Sequence, residues 1–321
     1  MEQNEFGYEP QKKSSGGKGC LIAIIIALLV LVALLLAVIA LFFGAKSGGF
    51  GKQEGSRVSF GDRAEQIVQD VLDIGYSFAD ADDYTAGNAE IEAKNVNRVV
   101  IDWVSGSVTV EAYDGDTISI SEPELREQED QLRWRQKGDT LTIRYCAAMN
   151  LNVSGSKDLV VKLPRELAEN LRYLQIDAVS AEANVSGITA GELQFDSTSG
   201  SMNAEGNVQI LDADTTSGGL VFTGTANAVE LDTVSGDYSV SFTETPDELS
   251  FDSTSGDLTM MLPAERGFEV EHDSVSGDFK CDFALVWGDD PYYEGKKTGK
   301  RAELEFDTVS GDVWIMNAQW A

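Results

Sequence analysis

Eight short phrases supply the residues whose types and spacing could do chemistry. They start at Asp102, Asp177, Asp196, Asp214, Asp232, Asp252, Asp273 and Asp307 and read DWVSG, DAVSA, DSTSG, DTTSG, DTVSG, DSTSG, DSVSG and DTVSG. From Asp177 to Asp273 the starts fall 19, 18, 18, 20 and 21 residues apart. If such coils stack, Asp196, Asp214, Asp232, Asp252 and Asp273 form one carboxylate column, and Asp237, Asp257, Asp278 and Asp312 form a second just after the glycines. Columns of oxygen ligands could take Ca²⁺, and a suitably spaced carboxylate pair could hydrolyse a glycoside. The hydroxyls of Ser197, Thr215, Thr233, Ser253, Ser274 and Thr308 would form a ladder able to meet a glycan or ice. Each pattern has a plainer explanation. Aspartates and hydroxyls cap tight turns, and water-facing carboxylates are screened by salt. The calcium-binding nonapeptide with several glycines is absent, since each phrase supplies one. No cofactor is therefore expected, with Ca²⁺ as the one metal considered. The single histidine, His272, falls at an inward strand position, so it is read as core rather than as the base of a Ser-His-Asp triad.

The phrases imply the elements that hold them. A period near 20 residues marks a repeating coil. Five and seven positions before each phrase glycine stand apolar pairs such as Phe195/Leu193, Leu231/Val229, Phe251/Leu249 and Phe306/Leu304. Two and four positions after it stand Met202/Ala204, Tyr238/Val240, Leu258/Met260 and Val313/Ile315. Spacing of two is strand spacing. The two sets differ in parity, so the chain must turn between them, and the phrase lies at that turn. The corner residues are Asp196, Ser199 and Gly200; Asp214, Ser217 and Gly218; Asp232, Ser235 and Gly236; Asp252, Ser255 and Gly256; Asp273, Ser276 and Gly277; and Asp307, Ser310 and Gly311. Gly is expected there for positive φ at a tight corner. Ala181 takes its place in the second phrase, where the coil is expected to turn differently. The fold class predicted is all-β: a parallel β-solenoid with coils of about 18–21 residues, right-handed because parallel connections are, after one transmembrane helix. A β-sandwich of two-strand units is the rival.

The N-terminal part is of another kind. Leu21–Phe43 is 23 residues without charge, Pro or Gly, long enough as a helix to cross a bilayer core of about 30 Å. It has no polar face, and it is too long for a signal-peptide core. The organisation expected is a disordered cytoplasmic tail over 1–19, a membrane helix over 20–43, a Gly/Ser tether over 44–61, a short helix and acidic loop over 62–90, and the solenoid over 91–321. Lys12, Lys13 and Lys18 are matched by Lys46, Lys52, Arg57 and Arg63 beyond the span, so charge alone does not orient it. The arrangement expected is a single-pass protein of the bacterial cell membrane, N-terminus inside and the bulk of the chain outside.

Composition excludes one class of partner. The chain carries 54 acidic against 24 basic residues, a formal net charge of -30. It repels nucleic acid, which is bound by clustered Lys and Arg, and attracts cations and basic polymers. The three cysteines form no CxxC pair, which speaks against a zinc site; Cys146 and Cys281 are the two able to pair outside the cell. One interval breaks the rhythm, the 34 residues from Gly277 to Gly311. It brings Trp287, Tyr292 and Tyr293 beside Lys296 and Lys297, a set suited to a glycan or protein partner or to a flap over the last coil.

The repeated DTVSGD at Asp232 and Asp307, the Leu262-Pro263 step followed by Gly267-Phe268, and the stretch FDTVSGDVWI ending at Ile315 resemble the bacterial DUF4097 family, an adhesin-like family of β-strand repeats. The resemblance covers roughly Val99 to the C-terminus. It implies an envelope protein, often anchored by one N-terminal helix and sometimes encoded near envelope-stress regulators, and it carries no catalytic residues. The function expected is non-enzymatic binding or scaffolding, with membrane lipid met through one helix and an envelope glycan or membrane protein as partner. Two alternatives remain at this level: an enzyme acting on envelope polysaccharide through a carboxylate pair, and a membrane sensor or regulatory subunit of a stress response.

Overall fold

The computed structural model describes residues 83–124, 127–128, 130–146, 156–288 and 291–318. The expected tail, membrane span, tether and the helix within 62–72 lie outside the described residues; among those described, no helix is long and apolar enough to cross a membrane.

The described chain is all-β. In order it forms β1 (Thr85–Ala86), β2 (Ala89–Glu92), β3 (Arg98–Tyr113), β4 (Thr117–Ser121), β5 (Arg133–Lys137), β6 (Thr140–Arg144) and β7 (Lys157–Pro164). One helical turn, α1 (Arg165–Ala168), precedes β8 (Leu171–Ser197), β9 (Met202–Thr215), β10 (Leu220–Thr225), β11 (Ala228–Thr233), β12 (Tyr238–Phe242), β13 (Glu248–Ser253) and β14 (Leu258–Leu262). The last elements are β15 (Arg266–Ser274), β16 (Phe279–Cys281), β17 (Tyr292–Gly295), β18 (Lys297–Thr308) and β19 (Val313–Asn317).

Successive coils pair in parallel and in register, which excludes the sandwich. Before the phrase, β8 pairs with β9, β9 with β11 and β11 with β13, so that Asp196, Asp214, Asp232 and Asp252 are direct partners. After it, β9 pairs with β10, β10 with β12 and β12 with β14. The inward residues of each rung sit on those of the next. Phe195, Leu231, Phe251 and Phe306 are completely buried, as are Leu220, Val240, Met260 and Ile315. One coil alone could not bury this set, and stacking buries it while pairing the backbone. The Tyr238 hydroxyl crosses the interior to bond Thr215 at 2.9 Å and the Asp232 carbonyl at 2.8 Å.

Stacking order departs from chain order at both ends. The C-terminal coil does not close the stack. β18 lies between β13 and β15, pairing Asp307 with both Asp252 and Asp273, and β19 lies between β14 and β16. At the other end β3 lies inside, between β8 and the later strands β6 and β7. The physical reason at the C-terminal end is polarity. The coil of β18–β19 offers Phe306, Val313 and Ile315 at the inward positions, whereas that of β15–β16 offers His272, Phe279 and Cys281. The more apolar coil gains more from two neighbours than from one.

The N-terminal end is sealed by antiparallel strands: β5 covers β6, and β4 covers β7. Beneath them lies a buried ion pair. Lys157 Nζ stands 2.6 Å from Glu122 Oε1 with both side chains inaccessible. It also donates to the carbonyls of Asp130, at 2.8 Å, and Tyr145. Its ammonium lies 4.3 Å from the Tyr145 ring centroid and 5.2 Å from that of Trp103. Glu122 Oε2 accepts from the Leu132 amide at 2.7 Å. Cys146 adjoins β6 and Cys281 lies in β16, at opposite ends of the stack, and both are free thiols.

Candidate binding face

Each residue of the corner phrase has a separable task. The Ser or Thr after the aspartate closes the corner. Ser197, Thr233, Ser253 and Ser274 each accept the amide of the phrase glycine at 2.7 Å. The phrase serine fastens rung to rung: its hydroxyl donates to a carbonyl of the rung beneath. Ser217 bonds Thr198, Ser235 bonds Thr216, Ser255 bonds Val234, Ser310 bonds Thr254 and Ser276 bonds Val309, all at 3.1–3.3 Å. The hydroxyl ladder expected as a recognition surface is thus used up in the fold.

The glycine is needed for a reason other than the one expected. Among the described phrase glycines only Gly106 has positive φ. The others are forced by close approach. A Cβ on Gly218 would stand 1.8 Å from the Gly200 carbonyl oxygen, and one on Gly236 1.9 Å from that of Gly218. Gly256, Gly311 and Gly277 repeat the contact at 2.0–2.1 Å. At Ala181 the turn is absent, because β8 runs straight through that phrase.

The aspartates of the inner rungs do not cap the turn and are withdrawn from water, whereas Asp273 on the outermost rung is exposed. Asp177, Asp214 and Asp232 are buried, and Asp196, Asp252 and Asp307 half-buried. Their carboxyls lie above one another at the rung spacing of about 4.8 Å. As carboxylates, Asp196 and Asp232 each bury an Oδ1 without a donor. A proton on Asp196 facing Asp177, or on Asp232 facing Asp214, would supply one. Burial, reinforced by the neighbouring negative charges, pushes Asp196 and Asp232 well above the usual carboxylate range. The same causes raise Asp252 to about 7 and Asp307 to about 6. Asp102 is raised by burial although Arg144 stands 3.0 Å away. The second column behaves as ordinary capping does: the carboxylates of Asp237, Asp257 and Asp312 accept the amides of Asp257, Asp312 and Asp278 in turn, at 2.8–3.2 Å.

This has a consequence for pH. A carboxyl whose folded pKa exceeds its unfolded value, about 3.9, binds more protons folded than unfolded. Stability then falls as pH rises from the unfolded pKa through the folded one. For this column the loss begins near pH 4 and reaches at least pH 7, the value of Asp252. His272, whose pKa burial lowers, opposes the trend with one half-buried group. We expect the melting temperature to be higher at pH 5 than at pH 8. We expect Asp232→Asn, which sits beside Asp214, Asp252 and Glu230, to raise the pH 8 value and flatten the profile. A melting temperature that climbs from pH 5 to pH 8 in the wild type would contradict this account.

Beside the aspartate column, on the same outward face of the sheet, run Asp212, Glu230, Glu305 and Glu271, with Glu192, Glu248, Glu303 and Glu269 beyond them. The outcome is an acidic face, interrupted by Gln194 and Ser250 in the nearer row and by Ile210 and Ala228 in the farther one. Among the described residues no group of three or more His, Cys, Asp or Glu side chains is arranged to hold a metal ion.

The aromatic-and-lysine interval folds back on the last rung. β17 pairs antiparallel with β15. Tyr293 joins Phe268 and Phe283, with centroids 4.8–5.5 Å apart, and its hydroxyl donates to the Ala264 carbonyl at 3.1 Å. Tyr292 lies under Arg301 at 3.8 Å, and Lys296 pairs with Glu265 at 3.3 Å. Lys297 opens β18 through its backbone partner Arg266. Trp287 projects into solvent, 73% exposed, and Lys296 is exposed as well. His272 stacks at 5.2 Å on Phe279, and its Nε2 is buried with no hydrogen-bond partner among the described residues.

The stacked, in-register corners define an all-β repeat domain, an open sheet wound into coils. The chain belongs to the Toastrack DUF4097 family, whose model matches residues 96–316. No curated protein matches the chain. Among solved structures it is similar to a candidate adhesin from Bacteroides fragilis, at 13% identity and a TM-score of 0.43, covering 72% of this chain and 97% of that one. A candidate adhesin from Parabacteroides distasonis aligns at 16% identity and 0.39, covering 72% and 98%. A candidate cell adhesion protein from Clostridium sporogenes aligns at 12% and 0.33, covering 73% and 99%.

Proposed function

We propose that this chain is a non-catalytic binding module of a bacterial cell envelope, held at the membrane by residues 20–43, whose acidic sheet face receives a basic segment of another protein. The observation that carries the reading is the register of the acidic columns: the stack places like charges side by side from rung to rung, and the chain as a whole is thirty charges negative. A surface of one sign attracts its opposite over a distance and loses that attraction in salt. A neutral glycan gains nothing from it.

The test uses the full chain in nanodiscs of uncharged lipid, with fluorescent polylysine as probe. Binding is expected at low salt, with a steep decline as salt is added. Replacing the exposed Glu248, Glu271 and Glu305 together by Gln is expected to weaken it roughly tenfold, the effect of about 1.4 kcal/mol. Absence of binding at low salt, or equal binding by the triple variant, would overturn the reading. Release of the wild type from native membranes by a high-salt wash would overturn the anchoring.

A further inference from the structure

The stack has a direction. At each corner the phrase serine donates to the rung beneath, while the amide two residues past the glycine donates the other way, as Tyr238 does to Asp257 and Val313 to Asp278. Ser217 gives both its amide, at 3.0 Å, and its hydroxyl to the Thr198 carbonyl; Ser235 does the same to Thr216, and Ser310 to Thr254. The amides of Asp257, Asp312 and Asp278 likewise point down onto the carboxylates of Asp237, Asp257 and Asp312. The series runs out at the rung of β15 and β16. There the Val275 carbonyl and the Asp278 carboxylate stand where every earlier rung has met its successor.

That end is only half closed. β17 covers Arg266–Glu269, and the Val270 amide donates to the Pro291 carbonyl at 2.9 Å. From Glu271 to Cys281 the outer edge has no strand partner among the described residues. Side chains report the same gap. Thr308, Val313 and Ile315 are buried to 1% exposure or less, while their counterparts Ser274, Phe279 and Cys281 are exposed or half-exposed. Val275 is 77% exposed.

We propose that the edge from Glu271 to Cys281 is a docking site for an extended, lysine- or arginine-bearing segment of a partner protein, which adds in register as the next rung. Strand addition supplies affinity through the backbone and specificity through alternate side chains. The edge sets the chemistry of its occupant. Its corner presents the Val275 carbonyl and the Asp278 carboxylate, and its outward side chains, Glu271, Asp273 and Asp278 against Lys280, are mainly acidic. A second copy of this chain meets that edge with the same acidic residues, and its opposite end is already covered by β4 and β5. A basic strand answers the charge. The inference deepens the reading above and rests on it.

The probe is a peptide alternating Lys and Val, about ten residues long to match the open edge, added to the full chain in uncharged nanodiscs. Two further versions carry N-methyl groups at the odd or at the even amides, leaving the charge unchanged. One methylated version is expected to bind as the parent does, and the other at least about tenfold more weakly, because alternate amides face opposite edges of a strand. The parent peptide should slow amide exchange within Glu271–Cys281. Glu271→Lys combined with Asp273→Lys should weaken it by at least tenfold. Equal binding by all three peptides, or protection confined to other strands, overturns strand addition while leaving charge-driven binding intact. Loss of all three together with polylysine overturns both. Self-association of the unliganded chain with protection of the same amides assigns the edge to a second copy and overturns the basic partner.

Discussion

Replacing Lys157 by Met is expected to cost about 3–5 kcal/mol of stability, the penalty for stranding one member of a buried ion pair. The Glu122 carboxylate would then keep the Leu132 amide at 2.7 Å as a donor inside an aromatic-lined end of the stack, with its charge uncompensated. The ammonium does more than neutralise Glu122. It ties the Asp130 and Tyr145 carbonyls to β7 and lies against Trp103 and Tyr145, so the variant also loosens the strands that close this end. Changing both partners, Lys157→Met with Glu122→Leu, should recover a large part of the loss, because no charge is then left buried. Urea titration of the single and double variants measures both. A single variant within about 1 kcal/mol of wild type would mean the pair is solvated, against its burial here.

The second large effect belongs to the corner glycines. Gly236→Ala is expected to cost about 3 kcal/mol or more, at or past the upper end for overpacked sites. The new methyl would stand 1.9 Å from the Gly218 carbonyl oxygen. That carbonyl belongs to a rung hydrogen-bonded on both sides, so neither backbone can yield without breaking the ladder. Gly218→Ala meets the Gly200 carbonyl at 1.8 Å and should behave alike. Gly299→Ala, where an added Cβ meets nothing within 4 Å, is the control and should change stability by less than about 0.5 kcal/mol. Thermal melts of the three variants decide it: equal destabilisation at Gly236 and Gly299 would show that the stack relaxes around a corner methyl.

Some of this was legible in the chain. Alternation before and after each phrase placed Phe195, Leu231, Phe251 and Met202 on the interior, because parity along a strand fixes the side it faces. Two charged residues could have been found the same way. Lys157 shares parity with Leu159, Val161 and Leu163, and Glu122 with Ile118 and Ile120, so each strand pattern carries a charge on its inward side. Their meeting was not legible, since it needs β3, β6 and β7 brought together from distant parts of the chain. His272 among phenylalanines was a similar sign, marking a coil that tolerates being outermost.

The order of the last two rungs lay beyond reach. DSVSG and DTVSG fit any neighbouring corner equally, so local spacing cannot say which coil lies inside; the burial of Phe306, Val313 and Ile315 decides it. The state of the aspartates was hidden for the same reason. A carboxyl at a turn reads as solvated, and only stacking and burial lift Asp196 and Asp232 above the usual carboxylate range. Sequence alone determined that the chain is wound in coils with a repeated corner, because hydrophobic period and phrase spacing are local quantities. Tertiary structure decided which coils touch, which carboxyls are buried beside one another and which edge lacks a partner among the described residues, because those depend on residues that only folding makes neighbours.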